Sequence, residues 1–237
     1  MIEVVAFDAD DALWHNESHF QETQQRLAAI VERYASSEEV EARLEATERR
    51  NIRHFGFGIK GFTLSMIETA IEISKGEIAA GDIQEIVQLG RAMLDVPLEL
   101  IEGVEEVLDE LSERHRLFLI TKGDLLDQRN KIERSGLAER FEHIEVVSHK
   151  DARTYRTLFS TRNAVPEATM MVGNSLPSDV LPVVEIGGHT AFVPYHVTAL
   201  HERHDEVPDH PRLHRLERVT ELPALLRRLG VGAQRTR

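Results

Sequence analysis

The chain has 237 residues, 41% of them apolar and 29% charged, which is the balance of a soluble globular protein and not of a disordered one. Its 28 lysines and arginines stand against 41 acids, a formal net charge of −13, which argues against a nucleic-acid partner held through basic stripes. There is no cysteine, so disulfides, thiolate metal sites and a cysteine nucleophile are excluded. Met1-Ile2-Glu3 lacks the basic and apolar stretches of a signal peptide. No apolar run approaches the ~20 residues needed to span a bilayer. A cytoplasmic enzyme with no membrane partner is the expectation.

In chain order, Val4-Val5-Ala6-Phe7 reads as a short buried strand that runs into Asp8, Asp10 and Asp11. The segment from about His15 to Arg91 shows no strand. Phe20 to Tyr34 is helical in pattern, with Leu27, Ile30 and Val31 on one face. Ser36 followed by Glu39 is a capping box that opens a second helix. The glycine-bearing loop Phe55 to Gly61 leads to a helical stretch from Phe62 to Ser74, and Ile83 to Leu94 repeats the pattern. This is an all-helical insertion of roughly 75 residues, within the size range of a domain. Beyond it, Arg116 to Ile120, Ile144 to Val147, Thr169 to Val172 and Thr190 to Val193 read as strands buried on both faces. Helical patterns lie between them, at Val104 to Arg114, Leu125 to Ser135 and Asp151 to Asn163. The order predicts an α/β fold, a doubly wound parallel sheet built from 1–15 and 92–237, with an inserted helical domain over 16–91.

In such a sheet ligands sit beyond the carboxyl ends of the strands. The predicted ends carry Asp8-Ala9-Asp10, Thr121-Lys122-Gly123-Asp124, Ser148-His149-Lys150 and Gly173-Asn174-Ser175, with Asp179 five residues past Asn174. Residues i and i+2 of an extended segment face the same way, so Asp8 and Asp10 share one site. A phosphate dianion repels a carboxylate nucleophile, and a hard dication held by carboxylates removes that repulsion. One carboxylate can attack while the other gives a proton to the leaving oxygen and later takes one from water. Thr121 and the backbone N–H groups after it, at Lys122 and Gly123, can hydrogen-bond a phosphoryl oxygen. Lys150 can neutralise charge on both phosphate and nucleophile. Phosphoryl transfer needs mostly this positioning and electrostatic stabilisation.

The pattern resembles the haloacid dehalogenase-like hydrolase superfamily. Four motifs stand in order: Val4-Val5-Ala6-Phe7-Asp8-Ala9-Asp10-Asp11-Ala12-Leu13, then Leu119-Ile120-Thr121, then Lys150, then Gly173-Asn174-Ser175-Leu176-Pro177-Ser178-Asp179. The insertion resembles that superfamily's helical C1-type cap on a Rossmann-like core. The resemblance implies a magnesium-dependent phosphatase for a small phosphorylated metabolite. Asp8 would be the nucleophile, Asp10 the general acid and base, and Thr121 and Lys150 the phosphate binders. Magnesium would be held by the side chains of Asp8 and Asp179, the carbonyl of Asp10 and the amide of Asn174. Two departures stand out. The usual glycine-threonine after the second aspartate is Asp11-Ala12, and the first acid of the last motif is Asn174. They keep open a weakly active or non-catalytic phosphate-binding protein. The dehalogenase branch is the other alternative, and Asp10 disfavours it, since that branch lacks the second aspartate and a departing halide needs no proton.

Other features divide between functional and structural readings. Arg50, Arg53, His54 and Lys60 are cap groups able to meet a substrate, and the loop Phe55 to Gly61 is the candidate lid. Lys122 reads equally as a solvated surface charge. Asp179 is also a candidate N-cap for a helix starting at Val180. Trp14 reads either as lining the entrance or as a packing residue. Six of the twelve histidines fall between His189 and His214, where a polar loop before a last strand near Leu213 to Val219 is the simpler reading than a metal site.

Overall fold

The computed structural model describes residues 1–197 and 207–234. Its elements run, in chain order, β1 (Val4–Phe7), α1 (Glu17–Ile30), α2 (Ser37–Phe55), α3 (Ile59–Ile73), α4 (Ala80–Asp95), α5 (Val104–Ser112), β2 (Arg116–Lys122), α6 (Leu125–Ser135), β3 (His143–Val147), α7 (Ala152–Thr161), β4 (Thr169–Gly173), α8 (Leu181–Glu185), β5 (His189–Phe192), β6 (Leu213–Arg215) and α9 (Leu222–Gln234). Two compact units result. One comprises Met1–His15, Leu98–Lys122 and the chain from Arg129 onward; the other is Asn16–Pro97 together with Gly123–Gln128. The helical unit thus extends to Pro97 instead of ending at 91, because α4 continues to Asp95, and it gains a short second segment after β2.

In the sheet unit the described strands form one parallel sheet in the order β3-β2-β1-β4-β5-β6. The order reverses at β1, which pairs with β2 on one side and β4 on the other, and that reversal marks where a doubly wound sheet opens a crevice. The alternation of side chains explains the two cores. Val5, Phe7, Leu117, Leu119, Met170 and Val172 face one way, against Val107, Leu108 and Leu111 of α5, Ile132 of α6 and Leu225 of α9. Val4, Ala6, Phe118, Ile120 and Met171 face the other way, against Tyr155 and Phe159 of α7 and Val183 of α8. All four β1 residues are buried, as a central parallel strand requires. At about 1.5–3 kcal/mol for each large apolar side chain buried, these layers hold the strand ends rigidly in place.

Two strand expectations change. β3 is an edge strand: Ile144 is 37% exposed, and the half-buried Glu145 pairs with Arg162. The last strand covers only Leu213–Arg215, and Val219 opens a short 3-10 turn instead. His189 on β5 and His214 on β6 stack at 6.0 Å between ring centres. His201 and His204 lie outside the described residues.

The helical unit is held by Leu27 and by Val40 and Leu44, Phe62 and Met66, and Ile86 and Leu89, the members of each pair three or four apart in one helix. Ser36 caps α2 as the sequence predicts, its hydroxyl accepting from the Glu39 N–H at 3.3 Å. α2 continues to Phe55 and α3 starts at Ile59, so the candidate lid shrinks to Gly56-Phe57-Gly58, too short for a large excursion. Arg50 is engaged by Glu68 and Glu72. No described helix is long and apolar enough to cross a membrane.

Candidate active site

The site grows from the turn after β1. The Asp8 N–H donates to the Val172 carbonyl at 2.9 Å, which ties the nucleophile candidate to β4. A tight turn follows, in which the N–H groups of Ala12 and Leu13 both donate to the Ala9 carbonyl at 3.2 and 2.8 Å. Asp11 takes a φ of +59°. Aspartate is among the few residues that adopt this left-handed conformation readily, which accounts for its standing where the motif usually has glycine.

Lys150 lies three residues past β3 and is buried between two acids. Its ammonium is 2.6 Å from Asp8 Oδ1 and 2.7 Å from Asp179 Oδ1. Lys150 owes its place to α7, whose N-cap is the next residue, Asp151. Burial pulls the Lys150 pKa down, but Asp179 and Asp8 outweigh it, and the net shift is upward, so the ammonium stays charged. Burial, reinforced by Asp179 and Asp10, pushes the Asp8 carboxyl up to about 7 against the opposing pull of Lys150.

Asp179 is fully buried, and it is not the N-cap of a following helix. It sits inside a single π-helical turn, Leu176–Val180, whose N-cap is Ser175, the Ser175 hydroxyl accepting from the Ser178 N–H at 3.2 Å. The N-cap expectation fails because the turn starts four residues earlier. Both Asp179 oxygens are occupied: Oδ1 by Lys150, and Oδ2 by the Ser175 N–H at 3.1 Å. This close packing requires Gly173, where an added Cβ would fall 2.3 Å from Asp179 Oδ2.

Asp10 is held from two directions. The indole Nε1–H of Trp14 donates to Oδ1 at 2.7 Å, and the Lys131 ammonium reaches Oδ1 at 3.1 Å and Oδ2 at 3.3 Å. Trp14 is thus a buried packing residue that also orients an acid. Lys131 is a residue that sequence reasoning missed. It looks like any lysine on an amphipathic helix, and no local signal marks its reach across 121 positions. Thr121 is buried near the end of β2. Lys122 is not a free surface charge, for its ammonium donates to Ser178 Oγ at 2.9 Å.

The sheet unit therefore contains Asp8, Asp10, Thr121, Lys122, Lys150, Asn174 and Asp179. Gly123 and Lys60 fall in the helical unit. There Gly123 has a φ of +145° and packs on Gln128, and Lys60 pairs with both oxygens of Asp124 at 3.0 Å.

Oxygen ligands suited to magnesium are present. Asn174 Oδ1 is buried and has no hydrogen-bond partner among the described residues, so a hard cation could take it without displacing one. Asp8 adds a carboxylate and Asp10 a backbone carbonyl. Among the described residues no three acids or histidines are gathered as a metal cage, and Lys150 lies between Asp8 and Asp179. Such a mixed set, one carboxylate, one amide and one carbonyl, would fit magnesium better than a softer metal.

The family model for haloacid dehalogenase-like hydrolases matches residues 2–187. No curated protein matches the chain. Among solved structures, a haloacid dehalogenase-like family hydrolase from Xanthomonas campestris is 43% identical, with a TM-score of 0.89, and the alignment covers 100% of this chain and 95% of that one. The HAD-hydrolase YfnB of Bacillus subtilis, bound to magnesium, is 16% identical with a TM-score of 0.65, over 95% of this chain and 98% of that one. L-2-haloacid dehalogenase from Xanthobacter autotrophicus, with chloropropionic acid covalently bound, is 15% identical with a TM-score of 0.64, over 96% and 99%. Motifs, sheet order and these matches agree: the chain belongs to the haloacid dehalogenase-like hydrolases.

Proposed function

We propose that this hydrolase is a phosphomonoesterase acting on a small phosphorylated metabolite through an aspartyl-phosphate on Asp8. The observation that carries this reading is Asp10, two residues past Asp8 and held by Trp14 and Lys131. An alkoxide leaving group needs a proton and a halide does not, so an oriented second carboxylate has a proton to deliver in ester hydrolysis and no such task when a halide departs.

In the first half-reaction an Asp8 oxygen attacks phosphorus, the ester P–O bond breaks, and its electron pair goes to the leaving oxygen, which takes a proton from Asp10. In the second, Asp10 takes a proton from water as that water attacks phosphorus, and the Asp8–phosphorus bond breaks to release phosphate. Lys150 keeps Asp8 oriented and offsets charge on the phosphoryl oxygens. Thr121, with the N–H groups of Lys122 and Gly123, receives a phosphoryl oxygen. Magnesium, held by Asp8, the Asp10 carbonyl and Asn174 with Asp179 behind them, would neutralise the charge that separates a carboxylate from a phosphate dianion. YfnB, a fold relative bound to magnesium, is consistent with this.

The test is a panel of phosphorylated metabolites and 2-haloacids assayed for phosphate and halide release, with magnesium and with excess EDTA. Magnesium-dependent phosphate release is expected. Halide release with no phosphate release would replace this reading with dehalogenation, and full activity in EDTA would remove the metal from it.

A further inference from the structure

We infer that Lys131 is a positioning residue for proton transfer, clamping the Asp10 carboxylate jointly with Trp14; the inference rests on the phosphatase reading above. An aspartate side chain has two soft torsions. One hydrogen bond on Oδ1 leaves the carboxylate free to rotate about its last bond. Trp14 supplies that first bond, at 2.7 Å, and Lys131 contacts both oxygens, at 3.1 and 3.3 Å, which fixes the plane.

Both partners are themselves rigid. Trp14 is 1% exposed, bridges its backbone to Asp10 and Leu100, and packs in the larger core beside Leu13 and Val104. Lys131 projects from α6, whose next residue, Ile132, is anchored in the same core. The Lys131 side chain is only 14% exposed, unlike the exposed ion pairs that decorate this protein, such as Arg227 with Glu110 at 59% and 52%. A largely desolvated ammonium on a carboxylate is a built contact rather than an accident of two long side chains meeting in water. It stands on the one acid whose orientation decides whether a proton reaches the leaving oxygen.

The role is passive in atoms and electrons. Asp10 gives its proton to the leaving oxygen and later takes one from water, and Lys131 keeps its three protons throughout. What it contributes is geometry. Misplacing a catalytic group by about 1 Å costs on the order of a hundredfold, within the range of general acid catalysis itself.

The test compares kcat/KM on phenyl phosphate, whose basic phenolate needs a proton, with 2,4-dinitrophenyl phosphate, whose leaving group does not. Lys131→Met is expected to lower kcat/KM on phenyl phosphate about tenfold to a hundredfold and on the dinitrophenyl ester less than about threefold. Lys131→Arg, which retains the donors, should recover most of the loss, and Asp10→Asn with Lys131→Met should be no slower than Asp10→Asn alone. Should Lys131→Met not fold, Lys131→Leu is read in the same way. An equal loss on both esters, or no loss on either, would overturn the inference, since a substrate-binding or merely structural lysine does not distinguish leaving groups. Wild-type protein that releases no phosphate from any ester would overturn the phosphatase reading and this inference with it. Wild-type turnover with uniform loss in the variants overturns the inference alone.

Discussion

Replacing Gly173 by alanine tests how the site is packed. The new methyl would stand 2.3 Å from Oδ2, 2.4 Å from Cγ and 2.8 Å from Cβ of Asp179, closer than carbon approaches a neighbour. Neither side can yield cheaply. The strand is pinned, since the Gly173 carbonyl accepts from the Val193 N–H at 3.0 Å. Asp179 has no exposed surface and is bonded to Lys150 at 2.7 Å and to the Ser175 N–H at 3.1 Å. Overpacking alone costs about 1–3 kcal/mol, but moving this carboxylate also loosens a buried ion pair, so a total of about 3–5 kcal/mol is expected. At about 2–4 °C per kcal/mol for a chain of this size, the midpoint of thermal unfolding should fall by ~6–20 °C. Scanning calorimetry of Gly173→Ala measures this directly. In an Asp179→Gly background, which removes the obstructing side chain, the same change should cost under about 1 kcal/mol. A fall of less than about 2 °C in Gly173→Ala, or equal costs in both backgrounds, would refute the account.

Asp8→Asn should abolish turnover while far-ultraviolet circular dichroism stays that of the wild type; measurable steady-state turnover would remove Asp8 from the role of nucleophile. Asn174→Asp should lower the unfolding temperature of metal-free protein, by adding an unpaired buried charge, yet enlarge the rise produced by added magnesium, which calorimetric titration would show as roughly tenfold tighter binding. An unchanged magnesium response would place the metal elsewhere. In α2, burial and the neighbouring Glu45 push the Glu48 carboxyl from its ordinary 4.5 up to about 7. The folded state then binds more protons than the unfolded one, so stability declines as pH rises between these values. Glu48→Gln should remove that decline, raising stability at pH 8 by about 1–3 kcal/mol and leaving pH 4 unchanged. Parallel stability profiles of wild type and variant would count against it.

What the sequence made legible was local. Val4–Phe7 followed by acids, the Ser36–Glu39 cap and the apolar spacing of α3 each express themselves within a few residues. The strand-end positions of Asp8, Thr121 and Lys150 followed from the same patterns. The rest depended on partners distant in the chain. Whether β3 is central or at an edge is decided by strand order, which its apolar run does not encode. The true N-cap of the π-helical turn is Ser175, which accepts the Ser178 N–H, while Asp179 is turned to the distant Lys150 and to the Ser175 N–H. Lys131 and Trp14 were visible as residues, but their convergence on Asp10 needed the fold.

Trp14 is the only tryptophan in the chain, and its ring nitrogen touches the candidate acid–base carboxylate. The protein therefore carries a built-in optical reporter. Indole emission is free of competing signals from other tryptophans, so changes in brightness or wavelength on adding magnesium, phosphate or a candidate metabolite would track that one carboxylate. Ligand screening can proceed on unlabelled wild-type protein before any substrate is known.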